Sequence, residues 1–263
     1  MKAVVSNKFI SSLTVRSMKS SKTNAFTLIE LLVVISIIAI LASIAIPAFS
    51  AAQLSAQQNK ALQQCKGVFY GLKMFATDHS GNFPAKREED FTTGDPSQAG
   101  DVTDANRAFA NIVPTYLSSV KPFSVPASKY CKTTSGGYIT PKDDFTNRTE
   151  VLAAGENAFA YVKGLSDTSN SNYPIMADGF SGGPGIVESP KYSKTEGEFG
   201  AVWKGKKAIV VRCDGSVNLE NVNQGTLQVI RPGNGQRNLF TSSSDQSDPW
   251  LVGCTVLNPL QPQ

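Results

Sequence analysis

From Phe26 to Phe49 the chain runs for 24 residues with nothing more polar than Thr27, Ser36 and Ser43, apart from one carboxylate, Glu30. A helix over that run extends about 36 Å, enough to cross a hydrocarbon core of about 30 Å. The 25 residues before it carry Lys2, Lys8, Arg16, Lys19 and Lys22 and no acid. Positive flanks of this kind stay on the cytoplasmic side of a bilayer, so the bulk of the chain points outward. An ionised Glu inside such a span is costly and calls for a partner, which makes Glu30 a functional residue by default.

Three plain readings compete for this segment: a cleaved secretory signal, a single-pass anchor and a buried core helix. A signal peptide has a shorter apolar region of about 7–15 residues, although Ala48-Phe49-Ser50-Ala51 has the small residues of a cleavage site. A plain anchor accounts for length and flanking charge but leaves Glu30 without a purpose.

The string Ala25-Phe26-Thr27-Leu28-Ile29-Glu30-Leu31-Leu32-Val33-Val34-Ile35 resembles the processing site of type IV prepilins and type II secretion pseudopilins. The resemblance implies cleavage between Ala25 and Phe26 by prepilin peptidase, N-methylation of Phe26, and an assembly role for Glu30 at the fifth mature position. Pro47 falls where many pilins carry a helix kink. Ala25 departs from the glycine usual before the cut. In a packed fibre the carboxylate of Glu30 can pair with the terminal amine of a neighbouring subunit, so that neither charge is buried alone.

That resemblance implies an α+β, type IV pilin-like fold: a long N-terminal helix, membrane-spanning in its first half, packed on an antiparallel β-sheet domain with long loops. The expected organisation is a cleaved basic leader over 1–25, a helix over 26–79 that spans the membrane over 26–49, and a globular periplasmic or extracellular domain over 80–263.

Charge and cysteine bound the remaining choices. The net charge is +4, and removing the five leader cations leaves −1. With no basic patch interleaved with aromatics beyond the leader, no nucleic-acid partner is expected, and a DNA-uptake pilin is a minor variant. Cys65, Cys131, Cys213 and Cys254 form an even set in an exported chain, which admits disulfides in three complete pairings. Metal ligation and four buried thiols are the other readings.

Beyond Pro47 the apolar positions Leu62, Cys65, Phe69, Leu72 and Ala76 recur at spacings of 3 and 4, one face of an amphipathic helix. Gly67 and Gly71 would let another backbone approach it. The helix ends at Asp78-His79-Ser80-Gly81, with Gly81 placed to cap and Pro84 after it. A short helix is expected near Asp104–Ile112. Strands are expected at Phe159–Val162, Tyr173–Ala177, Ala201–Trp203, Ala208–Cys213 and Ser216–Leu219, the last three as a meander turning at Lys204-Gly205-Lys206 and Asp214-Gly215.

The helix exit, Asp178-Gly179 and Asp214-Gly215 look like a large group of pseudopilin-like proteins. In that group a His precedes the second Asp-Gly by ten residues, where this chain has Lys204.

Catalytic chemistry has little to build on. His79 is the one histidine and sits at a helix end, and the run Gly179–Gly185 lacks the lysine of a phosphate loop. No cofactor is expected; Asp245 and Asp248 are candidate calcium ligands by analogy with major pseudopilins, without EF-hand spacing. Asn147-Arg148-Thr149 fits a glycosylation sequon.

The expectation is therefore a non-enzymatic structural subunit of a type II secretion pseudopilus or a type IV pilus-like fibre. It supports protein export or surface attachment, with other pilin subunits, prepilin peptidase and an inner-membrane assembly platform as partners. The rival is an envelope-anchored module that binds a ligand or polysaccharide without polymerising.

Overall fold

The computed structural model describes residues 27–87, 100–145, 151–233 and 235–262. The leader, with Ala25 and Phe26, and the sequon at Asn147 lie outside the described residues. The chain divides into two compact units, 1–51 and 52–263, with the boundary inside the first helix.

Helix α1 spans Leu28–Asp78 and continues through Pro47. In the first unit every Leu, Ile, Val and Phe from 28 to 49 is exposed, so the segment offers an apolar exterior with Glu30 as its one charge. Its hydroxyls are turned back on the helix: Ser36 donates to the Leu32 carbonyl at 2.8 Å and Ser43 to Ile40 at 2.7 Å. Polar side chains satisfied in this way are tolerated in hydrocarbon.

In the second unit α1 turns amphipathic and buries Ala61, Cys65, Val68, Phe69, Gly71, Leu72, Phe75 and Ala76. The face lies slightly to one side of the one expected, since Ala61 and Val68 are inside and Leu62 is half-buried. The two glycines part ways. A Cβ on Gly71 would lie 3.3 Å from Ile112 Cδ1, whereas one on Gly67 would meet nothing within 4 Å. Close approach to the domain is therefore the role of Gly71 alone.

The exit of α1 is tied in place. Ser80 and Gly81 both take left-handed conformations, and Gly81 N–H donates to the Ala76 carbonyl at 2.7 Å, closing the helix end. His79 stacks on Phe75 with centroids 3.8 Å apart, and its Nδ1–H donates to the Phe75 carbonyl at 2.7 Å.

Strands β1 (Lys86–Arg87) and β2 (Gly100–Asp101) form a small antiparallel pair. Helix α2 covers Ala105–Ala110, capped by Asp104, whose carboxylate accepts from Arg107 N–H at 3.0 Å. The main sheet contains β3 (Phe159–Lys163), β4 (Pro174–Asp178), β5 (Gly185–Ile186), β6 (Lys207–Arg212), β7 (Val217–Asn221) and β8 (Thr255–Asn258). Their order is β5-β8-β3-β4-β6-β7, and every pairing is antiparallel. The fold is thus α+β with the pilin-like layout of a long N-terminal helix and an antiparallel sheet.

The central strands are buried on both faces: all five residues of β4 and five of the six in β6 are inside. That explains their nearly continuous apolar sequence where a one-sided strand would alternate. Ala201–Trp203 is not a strand, because the chain coils through 202–206 with Lys204 and Gly205 both at positive φ. The expected meander reduces to the β6–β7 hairpin. Strand β8, unexpected from the sequence, inserts between β5 and β3.

Candidate functional site

The start of α1 is built from Thr27 and Glu30. Thr27 N–H and Thr27 Oγ1–H both donate to Glu30 Oε2, each at 2.8 Å, and Glu30 N–H donates to Thr27 Oγ1 at 3.3 Å. This reciprocal arrangement is a capping box, in which the Thr-x-x-Glu spacing satisfies two of the orphan donors at a helix start. Glu30 therefore has a partner within its own chain. Both Thr27 donors fall on one oxygen, so Oε1 has no partner among the described residues.

A second built centre surrounds Asp178. Its Oδ2 accepts from Trp203 Nε1–H and from Ile209 N–H, both at 2.7 Å, while Oδ1 has no partner among the described residues. Burial pushes the carboxyl up to about 7. Burial also raises the Cys65 thiol of α1, and the nearby Asp178 charge adds to it. Asp178 fastens the coil around Trp203 to β6. The following Gly179 makes room for Tyr130: a Cβ there would come within 2.7 Å of Tyr130 Cδ2, and the Tyr130 hydroxyl donates to the Phe180 carbonyl at 2.6 Å.

The second Asp-Gly pair turns the β6–β7 hairpin. Asp214 Oδ1 accepts from Ser216 N–H at 2.8 Å, and Gly215 has φ 84°. Lys204, at the position of the pseudopilin-like group's histidine, points its amine at Glu196, 3.7 Å away on the surface. Both Asp-Gly pairs thus shape the scaffold.

All four cysteines are free thiols, so the disulfide reading of their even count is not the state the structure adopts. Cys65, Cys131 and Cys213 are buried and Cys254 half-buried. Burial pushes Cys131 to about 11 and Cys213 to about 12, which keeps both protonated and poorly nucleophilic.

The candidate calcium residues are engaged elsewhere. Asp248 pairs with Arg231 and, at 3.1 Å, with Arg237, and Asp245 accepts from the Ser247 hydroxyl at 2.8 Å and lies 3.7 Å from Arg237. Both carboxylates thus lie against guanidinium groups. Among the described residues no group of three or more His, Cys, Asp or Glu is placed to hold a metal. Spacing alone did not reveal these pairs, since the arginines lie well upstream of the aspartates.

Family comparison bears on the first of these features. Residues 20–46 match the model of the prokaryotic N-terminal methylation motif. The chain carries a type IV prepilin-like processing signal. Within that motif Thr27 and Glu30 are the polar positions that the structure describes in contact, and the α1 segment that follows is long and apolar enough to cross a membrane by length and composition. No curated protein and no solved structure matches the chain. The match is confined to the start of the chain, and the features of the second unit stand on their own geometry.

Proposed function

We propose that the chain is a structural subunit of a type II secretion pseudopilus or a type IV pilus-like fibre. In this reading prepilin peptidase removes the leader at Ala25, Phe26 becomes the N-methylated terminus, and an inner-membrane platform lifts the subunit into a fibre with its fellows. Before assembly the protein is single-pass, its N-terminus cytoplasmic and its globular domain outside. The fibre supports protein export or surface attachment, and the chain performs no catalysis.

The observation that carries this reading is the apolar exterior of α1 from Leu28 to Phe49, interrupted by no charge except Glu30 at its first turn. A surface of that kind is stable in lipid or against copies of itself, and in water it would be a large unsatisfied patch. The second oxygen of Glu30 is left over by the capping box to receive a neighbour's terminal amine.

Two variants separate capping from subunit pairing. Glu30→Gln keeps an oxygen for Thr27 and deletes the charge, while Glu30→Ala deletes both. Loss of fibres in both, with membrane insertion retained, supports the pairing; fibres in Glu30→Gln at wild-type level would show that the cap suffices. Mass spectrometry of the mature chain tests the class itself. A terminus at N-methylated Phe26 is expected, and a start near Ala51 sinks the fibre reading.

A further inference from the structure

A cavity of about 450 Å³ opens where the β3–β4 loop meets the β6–β7 turn, lined by Asn172, Arg212, Asp214, Ser216, Asn218 and Arg231, with Pro232 and Trp250 beside them. That volume lies within the range of small-molecule sites, about 300–1,000 Å³. Its frame is stiff. Asn172 N–H is held by Asn170 Oδ1 at 3.0 Å, Cys213 N–H donates to the Tyr173 carbonyl at 3.0 Å, and Arg231 lies 4.1 Å over the Trp250 ring.

The two arginines in this frame are already matched. Arg212 pairs with Glu220 at 2.8 Å and Arg231 with Asp248, so an incoming anion would have to displace a carboxylate and a cation would face two guanidinium groups. Beside Asp214, whose Oδ1 accepts from Ser216 N–H at 2.8 Å, the wall is neutral: the carboxamides of Asn172 and Asn218 and the Ser216 hydroxyl make no hydrogen bond to other described residues. Each carboxamide offers two donors and an acceptor, and the hydroxyl offers both roles. Donors and acceptors side by side on a rigid wall match the adjacent hydroxyls of a pyranose ring, each of which both donates and accepts. An apolar ligand would leave these groups unpaired, at a cost the site has no means to offset.

We propose that this cavity is a saccharide-binding subsite that takes a neutral glycan segment, with Asn172, Ser216 and Asn218 as its hydrogen-bonding wall. This adds surface recognition to the subunit and does not depend on whether the chain polymerises. A glycan on a cell surface or matrix is the kind of partner such a site would meet once exposed outside the membrane.

The test is saturation-transfer NMR on the full chain in a detergent without sugar head groups, using cellobiose, maltose, N,N′-diacetylchitobiose and, as an acidic control, digalacturonate. At least one neutral disaccharide should show transfer, weakened about ten-fold in Asn172→Ala/Asn218→Ala, which alters two exposed side chains and should leave the melting temperature unchanged. Tyr138→Ala, in a separate cavity lined by Lys60, Lys121 and Tyr138, should leave binding intact. No transfer from any neutral disaccharide, equal transfer in the double variant, or transfer from digalacturonate alone would each overturn the proposal.

Discussion

A side chain on Gly215 would run into Phe69: a Cβ there lies 2.8 Å from Phe69 Cε1. The tip of the β6–β7 hairpin is therefore seated on the buried face of α1, at a residue whose φ of 84° already disfavours any side chain. Gly215→Ala should destabilise the domain by about 2–4 kcal/mol in urea denaturation, combining the left-handed penalty with displacement of Phe69. In a Phe69→Ala background the same substitution should cost only about 1–2 kcal/mol, because the collision is gone and the backbone penalty remains. Equal costs in the two backgrounds would show that the ring does not constrain the turn.

Asp178 makes stability depend on pH. Its carboxyl titrates near 3.8 when unfolded and about 7 when folded, so its contribution is fully present below pH 4 and is lost as pH rises toward 7. The loss amounts to about 4 kcal/mol, spread across that window. Asp178→Asn retains an oxygen for Trp203 and Ile209 and should flatten the slope between pH 4 and 7. Asp178→Ala instead leaves two buried donors unpaired, at about 1–3 kcal/mol each. Denaturation midpoints at pH 4.5 and pH 8 for the three proteins decide the matter.

The thiols should react in an order set by burial. Alkylation of the native protein without reductant should modify Cys254 slowly and leave Cys65, Cys131 and Cys213 untouched. After unfolding, again without reductant, all four should be modified. Two modified cysteines in the unfolded chain would reveal a disulfide and contradict the four free thiols.

The loop of Asp245 and Asp248 should be indifferent to calcium, with no change in melting temperature on adding millimolar calcium or a chelator. Asp248→Ala should matter more, because it strips Arg231 of its carboxylate while the guanidinium stays stacked on Trp250. A cost of about 1.5–3 kcal/mol is expected, the usual range for a hydrogen bond to a charged group. A melting temperature that rises with calcium would contradict the pairing.

What could be read in advance depended on whether the signal was local. The apolar run of α1, its amphipathic second half and the Asp-Gly hairpin are written in spacings of a few residues, and the structure contains all three. The capping box is equally local, since Thr27-Leu28-Ile29-Glu30 has the Thr-x-x-Glu spacing, although a carboxylate within an apolar run points first to a partner outside the helix. Trp203 lies in an apolar stretch that resembles a strand, yet its indole is drawn to Asp178, 25 residues earlier, and the backbone coils to deliver it. Likewise the partners of Asp248 are arginines brought near by folding, which no spacing rule could supply.

Strand β8 lies between β5 and β3, and its partner Val162 is 94 residues from Val256. Until residues 255–258 arrive, the outer edge of β3 is an unpaired ladder of backbone donors and acceptors beside apolar Tyr161 and Val162, the kind of edge that recruits foreign strands. Pairings this distant are slow to form. A growing chain must therefore pass through a stage in which its sheet is open on one side, and only the last residues of the domain close it.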